Sequence, residues 1–425
     1  MKTEKPYFLN CLGCPEALWE LSRQGVHLRP LPSNTHIHLP PNFSAFTSVE
    51  QAVNLSFKQG LRVLGAGNYY DFAVYDDFGR LCRQAGIFPL FSTEMIAYEP
   101  DLAEKNIRVN DPGNPGKIYI CGKGITQFSP LSDQAAEKMK AIRRNDATRM
   151  KAMIDKLVDC FKNAGCAVAL DEQAVIDRVV RRHGCKPQTV TLQERHIAQI
   201  FQEVFFEAVP TERRGNVLRA LYGCAPKALP DDAVGTQNDI RSFLMKAGKP
   251  CFVPESFGRL GEAMALIGQL GGIPCYPVLA DGAAEACEYE TPVEGLVKRL
   301  RQQGFWMAEF IPVRNRPEAL TAYATALRKA GILLTAGTEH NTLELIPLTL
   351  ACAGGTPIPD PLGAWFWEGV CVVVAHQYLC AHGQTGFVDA QGRPNPAWPE
   401  AEERINAFAR LGQVVLNAFF KRTNP

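Results

Sequence analysis

Residues 34–40, which read Asn-Thr-His-Ile-His-Leu-Pro, decide the fold and point to its chemistry. An apolar run that ends at a proline is typical of a strand, and side chains two positions apart on a strand point to the same side. We therefore expect His36 and His38 to project together from the carboxyl end of the first strand. Two imidazoles that converge in this way form half of a metal site, although such a pair can also be packed and hydrogen-bonded without a metal.

Outward from this stretch, short apolar runs alternate with amphipathic helical stretches, which is the pattern of a parallel α/β architecture. The predicted strands are Thr35–Leu39, Leu61–Gly65, Phe88–Thr93, Ile118–Cys121, Ile273–Val278, Trp306–Ile311 and Ile332–Ala336. The helices predicted between them are Ser48–Gln59, Tyr75–Ala85, Gly258–Leu270, Pro292–Gln303 and Pro317–Ala330, and each ends at a glycine that leads into a strand. The sequence thus predicts an α/β fold, a distorted seven-stranded TIM-like barrel.

The interval between the fourth and fifth strands shows helical periodicity and no convincing strand. Its predicted helices are Gln134–Ala164, Leu170–Arg182, Leu192–Glu207 and Thr236–Ala247, and three more follow the barrel at Leu343–Ala353, Gly363–His382 and Pro399–Lys421. We expect residues 1–131 and 251–342 to form the barrel, residues 132–250 a helical insertion that covers the strand carboxyl ends, and residues 343–425 a helical C-terminal extension.

The composition of the chain limits the kinds of partner that we expect the protein to bind. The 425 residues include 45 basic and 44 acidic side chains, a formal net charge of +1, so no overall electrostatic signal favours nucleic acid or an anionic membrane. No apolar run approaches the ~20 residues that span a bilayer. The 14 cysteines and an N-terminus without a signal peptide favour a cytoplasmic protein with reduced thiols. The expected partner is a small-molecule substrate; the oligomeric state stays open.

Two carboxylates occupy equivalent points on later strands. Glu94 follows the third strand and Glu339 follows the seventh. Residues at the carboxyl ends of different barrel strands meet in one pocket, so these two side chains and the histidine pair make a set that suits zinc, manganese or iron. Either carboxylate alone is equally typical of a helix cap or a solvated loop charge.

These motifs resemble the PHP (polymerase and histidinol phosphatase) superfamily of metal-dependent phosphoesterases, from about Leu31 to Asn341. The motif HxH of that superfamily matches residues 36–38. Further motifs match residues 60–69 (GLxxIxITDH), 92–94 (GxE), 119–124 (HLLGxG), 271–278 (GGxxxxAHP) and 337–341 (GSDxH). Residues 193–198 resemble the RPHxAR stretch of the branch that hydrolyses nucleotides and oligonucleotides. The resemblance implies a distorted seven-stranded barrel that binds three metals.

Several ligand positions of that superfamily are replaced here. The replacements are Asn68 and Tyr69 in the second motif, Tyr119 in the fourth, Pro277 or Val278 in the fifth and Asn341 in the last. The surviving positions, which surround one of the three metals in the superfamily, are His36, His38, Glu94 and Glu339. The resemblance therefore implies one remaining divalent metal, or none, in a degenerate site.

The sequence favours a metal-dependent hydrolase, most plainly a phosphoesterase that activates water with this single metal. Glu94 or His340 would move the proton. The candidate substrate-binding residues are Asn68, Tyr119, Lys123 and Arg259, and Arg314 is a further cation near a strand end. Two alternatives stay open: a catalytically silent barrel that binds a small ligand or a partner, and a one-metal hydrolase or isomerase of a non-phosphate substrate.

Overall fold

The computed structural model describes residues 7–25 and 29–423. The protein is an α/β fold in which one seven-stranded sheet, ordered β1 to β7 along the chain, nearly closes into a TIM-like barrel. The strands are β1 (Ser33–Ile37), β2 (Val63–Tyr69), β3 (Phe88–Tyr98), β4 (Lys117–Lys123), β5 (Ile273–Val278), β6 (Met307–Phe310) and β7 (Leu333–Ala336). All seven predicted strands are present, and the predicted fold class is confirmed.

Strand direction departs from the parallel pattern at one place. Every neighbouring pair is parallel except those of β4, which runs antiparallel to both β3 and β5. The chain turns back on itself after β3, so that Tyr98 at its end pairs with Lys117 at the start of β4. The first and last strands meet through a single parallel bridge between Ile37 and Glu339. The reversal of β4 inverts which of its ends faces the open mouth of the barrel.

Two helices precede the barrel, α1 (Tyr7–Asn10) and α2 (Pro15–Arg23), and they pack with the last two helices of the chain. The helices of the barrel are α3 (Val49–Lys58), α4 (Tyr75–Gln84), α5 (Pro100–Glu104), α11 (Leu260–Gln269), α12 (Val293–Gln302) and α13 (Pro317–Lys329). Local signals set their limits. The Ser48 hydroxyl accepts a hydrogen bond from the Gln51 amide at the start of α3, and Gly60 ends that helix with a φ of 76°.

The chain between β4 and β5 forms α6 (Asp133–Asn163), α7 (Glu172–His183), α8 (Glu194–Ala208), α9 (Thr211–Tyr222) and α10 (Ala233–Ile240), and a π-helical turn follows at Arg241–Met245. These helices share their own hydrophobic cluster. The 31-residue α6 is about 46 Å long at 1.5 Å per residue. Ala135 and Met139 in its first turns pack in the barrel core, whereas Met153 and Leu157 pack in the insertion.

The last two helices, α14 (Leu362–Ala381) and α15 (Ala401–Thr423), seal the floor of the barrel. They share a hydrophobic cluster with residues near the amino ends of the parallel strands, among them Val63, Ile273 and Leu333. The side chain of Gln377 on α14 bonds the backbone of β3 at Pro89 and Phe91. The described chain holds no helix that combines the length and the apolar character needed to cross a bilayer.

The helix predicted at Leu343–Ala353 is absent, which corrects that expectation. Pro347 lies in its middle, and a proline removes a backbone donor and disfavours helical backbone at the residue before it. The segment instead packs Leu348 into the barrel core, where its backbone carbonyl accepts a hydrogen bond from the Asn34 amide.

Candidate metal centre and substrate cavity

Three side chains from two neighbouring regions of the sheet meet at the carboxyl end of the barrel. His36 lies in β1, His38 just after it, and Glu94 in β3. Nε2 of His38 is 3.0 Å from Oε2 of Glu94, and Nε2 of His36 is 3.8 Å from the same oxygen. All three side chains are at least 96% buried. The two histidines project into one site, as their spacing in the sequence indicates.

The polar atoms of this triad lack hydrogen bonds. His36 Nε2, both nitrogens of His38, and Glu94 Oε2 are buried without a hydrogen-bond partner in the described chain. An unpartnered buried polar atom costs about 1–3 kcal/mol, so a cluster of four calls for a ligand. A single metal would satisfy three of them, namely one nitrogen from each imidazole and the Glu94 oxygen. Two imidazole nitrogens and a carboxylate oxygen within 4.8 Å of one another match the donor set of a catalytic zinc or of a two-histidine, one-carboxylate iron site. These residues fit a divalent metal.

The backbone around His36 leaves little freedom. A Cβ added to Gly67 would lie 2.9 Å from the His36 ring, and one added to Gly337 would lie 2.4 Å from the His36 Cβ. Both positions therefore require glycine for the ring to sit where it does. The Glu339 amide donates to the His36 carbonyl and the His38 amide donates to the Glu339 carbonyl, each at 2.8 Å, which ties the end of β1 to the chain after β7.

Glu309 on β6 holds the opposite side of the His36 ring. His36 Nδ1 lies 2.7 Å from Glu309 Oε2, and the Thr35 hydroxyl donates to Glu309 Oε1 at 2.7 Å. Because a carboxylate can only accept, Nδ1 carries the proton and Nε2 offers its lone pair to the triad. Burial raises the pKa of the Glu309 carboxyl, but the Lys123 ammonium and His36 outweigh it and bring that pKa to about 2.

Glu339, expected as a fourth ligand, has other contacts. Its Oε2 accepts hydrogen bonds from the Arg314 guanidinium and, at 2.6 Å, from the Asn341 amide. Burial opposes ionisation of Glu339, yet Arg314 keeps the pKa of that carboxyl below its ordinary value. Among the described residues, the groups whose ligand atoms lie within 4.8 Å of one another do not include Glu339. It lies beside the triad and is paired with an arginine.

A cavity of about 810 Å³ opens directly above the triad. The barrel supplies one wall, which includes Glu94, Tyr69, Tyr119 and Arg314. The insertion supplies the other, through α6, α8, the π-helical turn and the loop after it. Tyr69 stacks on the His38 ring at 5.2 Å, and burial followed by the nearby Glu94 raises the pKa of its phenol well above the ordinary value. Tyr69 is therefore a neutral hydrogen-bond donor in this cavity.

One arginine of the insertion faces the cavity without a carboxylate partner. Arg195 on α8 makes no ion pair and no hydrogen bond within the described ranges, 7–25 and 29–423. Arg241 and Arg314 line the same cavity but pair with Glu194 and Glu339, respectively. Burial, followed by the charges of Arg241 and Arg314, lowers the pKa of Arg195 to about 9. It stays protonated near neutral pH, so the three guanidinium groups attract an anion to this part of the cavity.

Most other charges on the insertion wall are paired. Glu194 accepts from Arg149 at 3.0 Å and from Lys246 at 2.9 Å, and Arg149 also reaches Glu255 at 3.2 Å. Asp146 on α6 has the weakest pairing, since its Oδ1 is 4.0 Å from the Arg149 guanidinium. Its Oδ1 is buried without a hydrogen bond, and burial raises the pKa of this carboxyl to about 7 despite the nearby Arg149. The insertion wall is thus a network of ion pairs with one unsatisfied acid.

Of the expected substrate-binding residues, Tyr119 lines the cavity. Asn68 instead lies below the surface and bonds both the amide and the carbonyl of Leu39 at 2.8 Å, which fixes the chain after His38. Arg259 is exposed and pairs with Glu99 at 2.9 Å, outside the cavity. Neither side chain is placed to touch a ligand of this cavity.

Lys123, which was also expected to bind substrate, lies outside the cavity lining. The sequence puts Lys123 at the end of a strand. Because β4 is antiparallel, this end of the strand lies toward the barrel floor, and Lys117 at the start of β4 lines the cavity instead. Lys123 is 1% exposed and bonds Glu309 Oε1 at 2.5 Å.

His340, expected to move a proton, uses both ring nitrogens in hydrogen bonds and lies outside the lining of the cavity. Nε2 donates to the Ile346 carbonyl at 3.0 Å, so Nδ1 accepts from the Thr338 hydroxyl at 2.7 Å. The ring also stacks on Phe46 at 4.9 Å. These contacts hold the loop after β7 and leave no free nitrogen for acid or base catalysis.

Sequence reasoning missed two residues of the site. Glu309 lies inside the apolar run of residues 306–311, and a charged side chain within such a strand was the available signal. Arg195 lies in the stretch 193–198 that was singled out, but nothing in the sequence shows that it lacks a partner.

Comparison with known proteins adds support for the fold. No family model matches the sequence, and no curated protein matches it. Among solved structures, a protein of Bifidobacterium adolescentis provisionally named a metal-dependent phosphoesterase superposes with a TM-score of 0.54 at 15% identity, over 81% of this chain and 97% of that chain. An amidohydrolase from Chromobacterium violaceum, with bound sulfate and no metal, superposes with a TM-score of 0.50 at 15% identity, over 79% and 96%. At this identity the likeness concerns the fold.

Proposed function

We propose that the protein is a metal-dependent hydrolase that cleaves a phosphoester. The observation that carries the proposal is the triad of His36, His38 and Glu94, whose ligand atoms lack hydrogen bonds at the base of a cavity that is also lined by Arg195, Arg241 and Arg314. The similarity in fold to a protein named a metal-dependent phosphoesterase is consistent with it. Among the metals, zinc, manganese and iron all suit two imidazoles and a carboxylate.

The triad would hold the metal through Nε2 of each histidine and Oε2 of Glu94. A divalent cation held there would supply Lewis acidity to a substrate oxygen and would lower the pKa of a water molecule. The hydrogen bond from His36 Nδ1 to Glu309 keeps the ligating nitrogen unprotonated. Glu339 would complete the set as a fourth ligand only by giving up its ion pair with Arg314.

The remaining steps fall to side chains that line the cavity. Arg195, Arg241 and Arg314 would bind the phosphoryl oxygens, a task that further metals perform in multinuclear sites. The neutral phenols of Tyr69 and Tyr119 can donate a hydrogen bond to the oxygen that leaves. Glu94 lies beside both histidines and lines the cavity, and its second oxygen, Oε1, is our candidate for the atom that accepts a proton from water.

A one-metal hydrolase of a non-phosphate substrate is the second candidate. The specific observation in its favour is that the described chain brings together only one complete triad with unpartnered donors, and one metal suffices for hydrolysis of a carbon–oxygen or carbon–nitrogen bond. An anionic group on such a substrate would still suit the three arginines.

The test begins with metal analysis of the purified protein and of His36→Ala. About one equivalent in the wild type and none in the variant is expected. The metal-loaded protein is then assayed with p-nitrophenyl phosphate, bis-p-nitrophenyl phosphate, a lactone and an amide. Phosphoester turnover that disappears with a chelator supports the proposal. Turnover of the lactone or amide alone supports the second candidate, and no metal above trace contradicts both and leaves a silent binding barrel.

A further inference from the structure

A buried ion pair lies beneath the triad, in the interior of the barrel. Lys123 at the end of β4 and Glu309 on β6 are 1% and 0% exposed, and their side chains meet at 2.5 Å. Lys123 Nζ also donates to the Thr35 carbonyl at 3.2 Å. Barrel interiors are usually filled by branched apolar side chains, and a buried pair rarely stabilises a fold more than such packing does. Stability alone therefore does not explain this pair.

The pair bears on a choice between two metal sites that share His36. One is the triad, which uses His36 Nε2; the other joins His36 Nδ1 to Cys121 and Glu309. In the second group, the Cys121 sulfur is 3.9 Å from both His36 Nδ1 and Glu309 Oε2. A cation there would have to displace the hydrogen bond between His36 and Glu309 and would lie beside the Lys123 ammonium. Charge repulsion from Lys123 therefore favours the triad over the second group as the metal site.

We infer that Glu309 and Lys123 are positioning residues for a metal bound by the triad: Glu309 fixes the tautomer and orientation of His36, and Lys123 cancels the charge of Glu309. The inference rests on the proposed metal site and says what its surroundings do. Of the three acids around His36, Glu309 is neutralised by Lys123 and Glu339 by Arg314, which leaves Glu94 as the uncompensated one. A divalent metal with these neighbours keeps a net charge of +1, which favours an anionic substrate.

Cobalt binding tests this without any assay of activity. The affinity for Co²⁺ and the visible absorption spectrum are measured for the wild type, Glu309→Gln, Lys123→Met and the variant with both changes. Glu309→Gln leaves an unpaired ammonium near His36, so we expect affinity to fall about 10–100-fold. Adding Lys123→Met should restore at least about tenfold of that loss, because the repulsive charge is removed.

Cys121→Ala is the matched control, since Cys121 belongs only to the second group. It should bind Co²⁺ with unchanged affinity, and the wild-type spectrum should lack a thiolate-to-cobalt charge-transfer band. A thiolate band that Cys121→Ala abolishes would place the metal in the second group and overturn the inference. Wild-type affinity in Glu309→Gln, or no recovery in the doubly changed variant, would overturn it as well.

Two further outcomes are separable. A wild type that binds no Co²⁺ contradicts the proposed function itself, and the positioning role falls with it. If circular dichroism shows that Glu309→Gln does not fold, the single variant Lys123→Met tests the inference instead. We expect it to bind Co²⁺ at least as tightly as the wild type while its metal-free form melts at a lower temperature, because Glu309 is then uncompensated. A weaker affinity in Lys123→Met would contradict the inference.

Discussion

The two sides of the cavity differ in whether their buried polar and charged groups have partners. On the barrel side, at the base of the cavity, His36, His38 and Glu94 converge with four polar atoms that have no hydrogen bond in the described chain. On the insertion wall, the buried acid Glu194 is surrounded by cations within 4 Å. An unsatisfied cluster calls for a ligand from outside, whereas a satisfied one holds a shape. Under the proposed function, the barrel side would bind the metal and the insertion would mainly enclose the cavity, with Arg195 as the cation available to a substrate.

Removing a ligand from the barrel wall should have the largest effect. His38→Ala deletes two of the four unpartnered atoms, and we expect bound metal to fall below a tenth of an equivalent. Because a metal supplies several kcal/mol of transition-state stabilisation, hydrolytic activity should fall at least about 1,000-fold. Metal analysis and kinetics on the same samples measure both.

The matched control for this change is His183→Ala on the insertion, where the imidazole bonds the Thr47 carbonyl. It should retain both metal and activity. Equal losses in the two variants would show that the triad has no special role and would remove the contrast between the walls.

Removing the unpaired cation of the insertion wall should have an intermediate effect. Arg195→Gln deletes one charge-assisted contact worth about 1.5–3 kcal/mol, so KM for a phosphoester, and the Kd for inorganic phosphate, should rise about 10–100-fold. Metal content should not change. Arg181→Gln, on the exposed face of α7, is the control and should bind phosphate as the wild type does. If Arg195→Gln does so too, the cavity does not use this guanidinium.

Replacing Asp146 should have the smallest effect, and the quantity affected is the stability of the fold. Its folded pKa of about 7 exceeds the value of 3.8 expected for an unfolded chain, so the folded state binds the extra proton. Stability is then lost as pH rises from about 4 to about 7. Asp146→Asn cannot ionise, and its unfolding free energy should exceed that of the wild type at pH 8 by on the order of 2 kcal/mol more than at pH 4. Urea denaturation at both pH values measures this, and an equal difference at both would contradict it.

The sequence predicted the barrel well because its signals are local. Apolar runs, helical periodicity and a glycine after each helix depend only on neighbouring residues, and all seven strands and most helices follow them. The direction of β4 depends on how residues 99–116 turn back, which no local pattern records. The helix predicted at Leu343–Ala353 does not form because Pro347 interrupts the segment despite its apolar periodicity.

The site was predictable to the same extent. His36, His38 and Glu94 follow from strand spacing and converge as expected. A parallel β4 would place Lys123 in the cavity, but the strand is antiparallel, and the partner of Lys123, Glu309, is 186 positions away in the chain. Pairing at that distance, like that of Glu339 with Arg314, depends on barrel closure and leaves no trace in either local sequence.

Helix α6 gives the molecule a mechanical property. Its first turns belong to the core of the barrel and its later turns to the core of the insertion, along about 46 Å of continuous backbone. A rigid rod anchored in two cores transmits tilt from one to the other, so a shift of the insertion must either bend α6 or repack Ala135 and Met139. The roof of the cavity is therefore stiffly mounted, and we expect the two cores to lose structure together on unfolding.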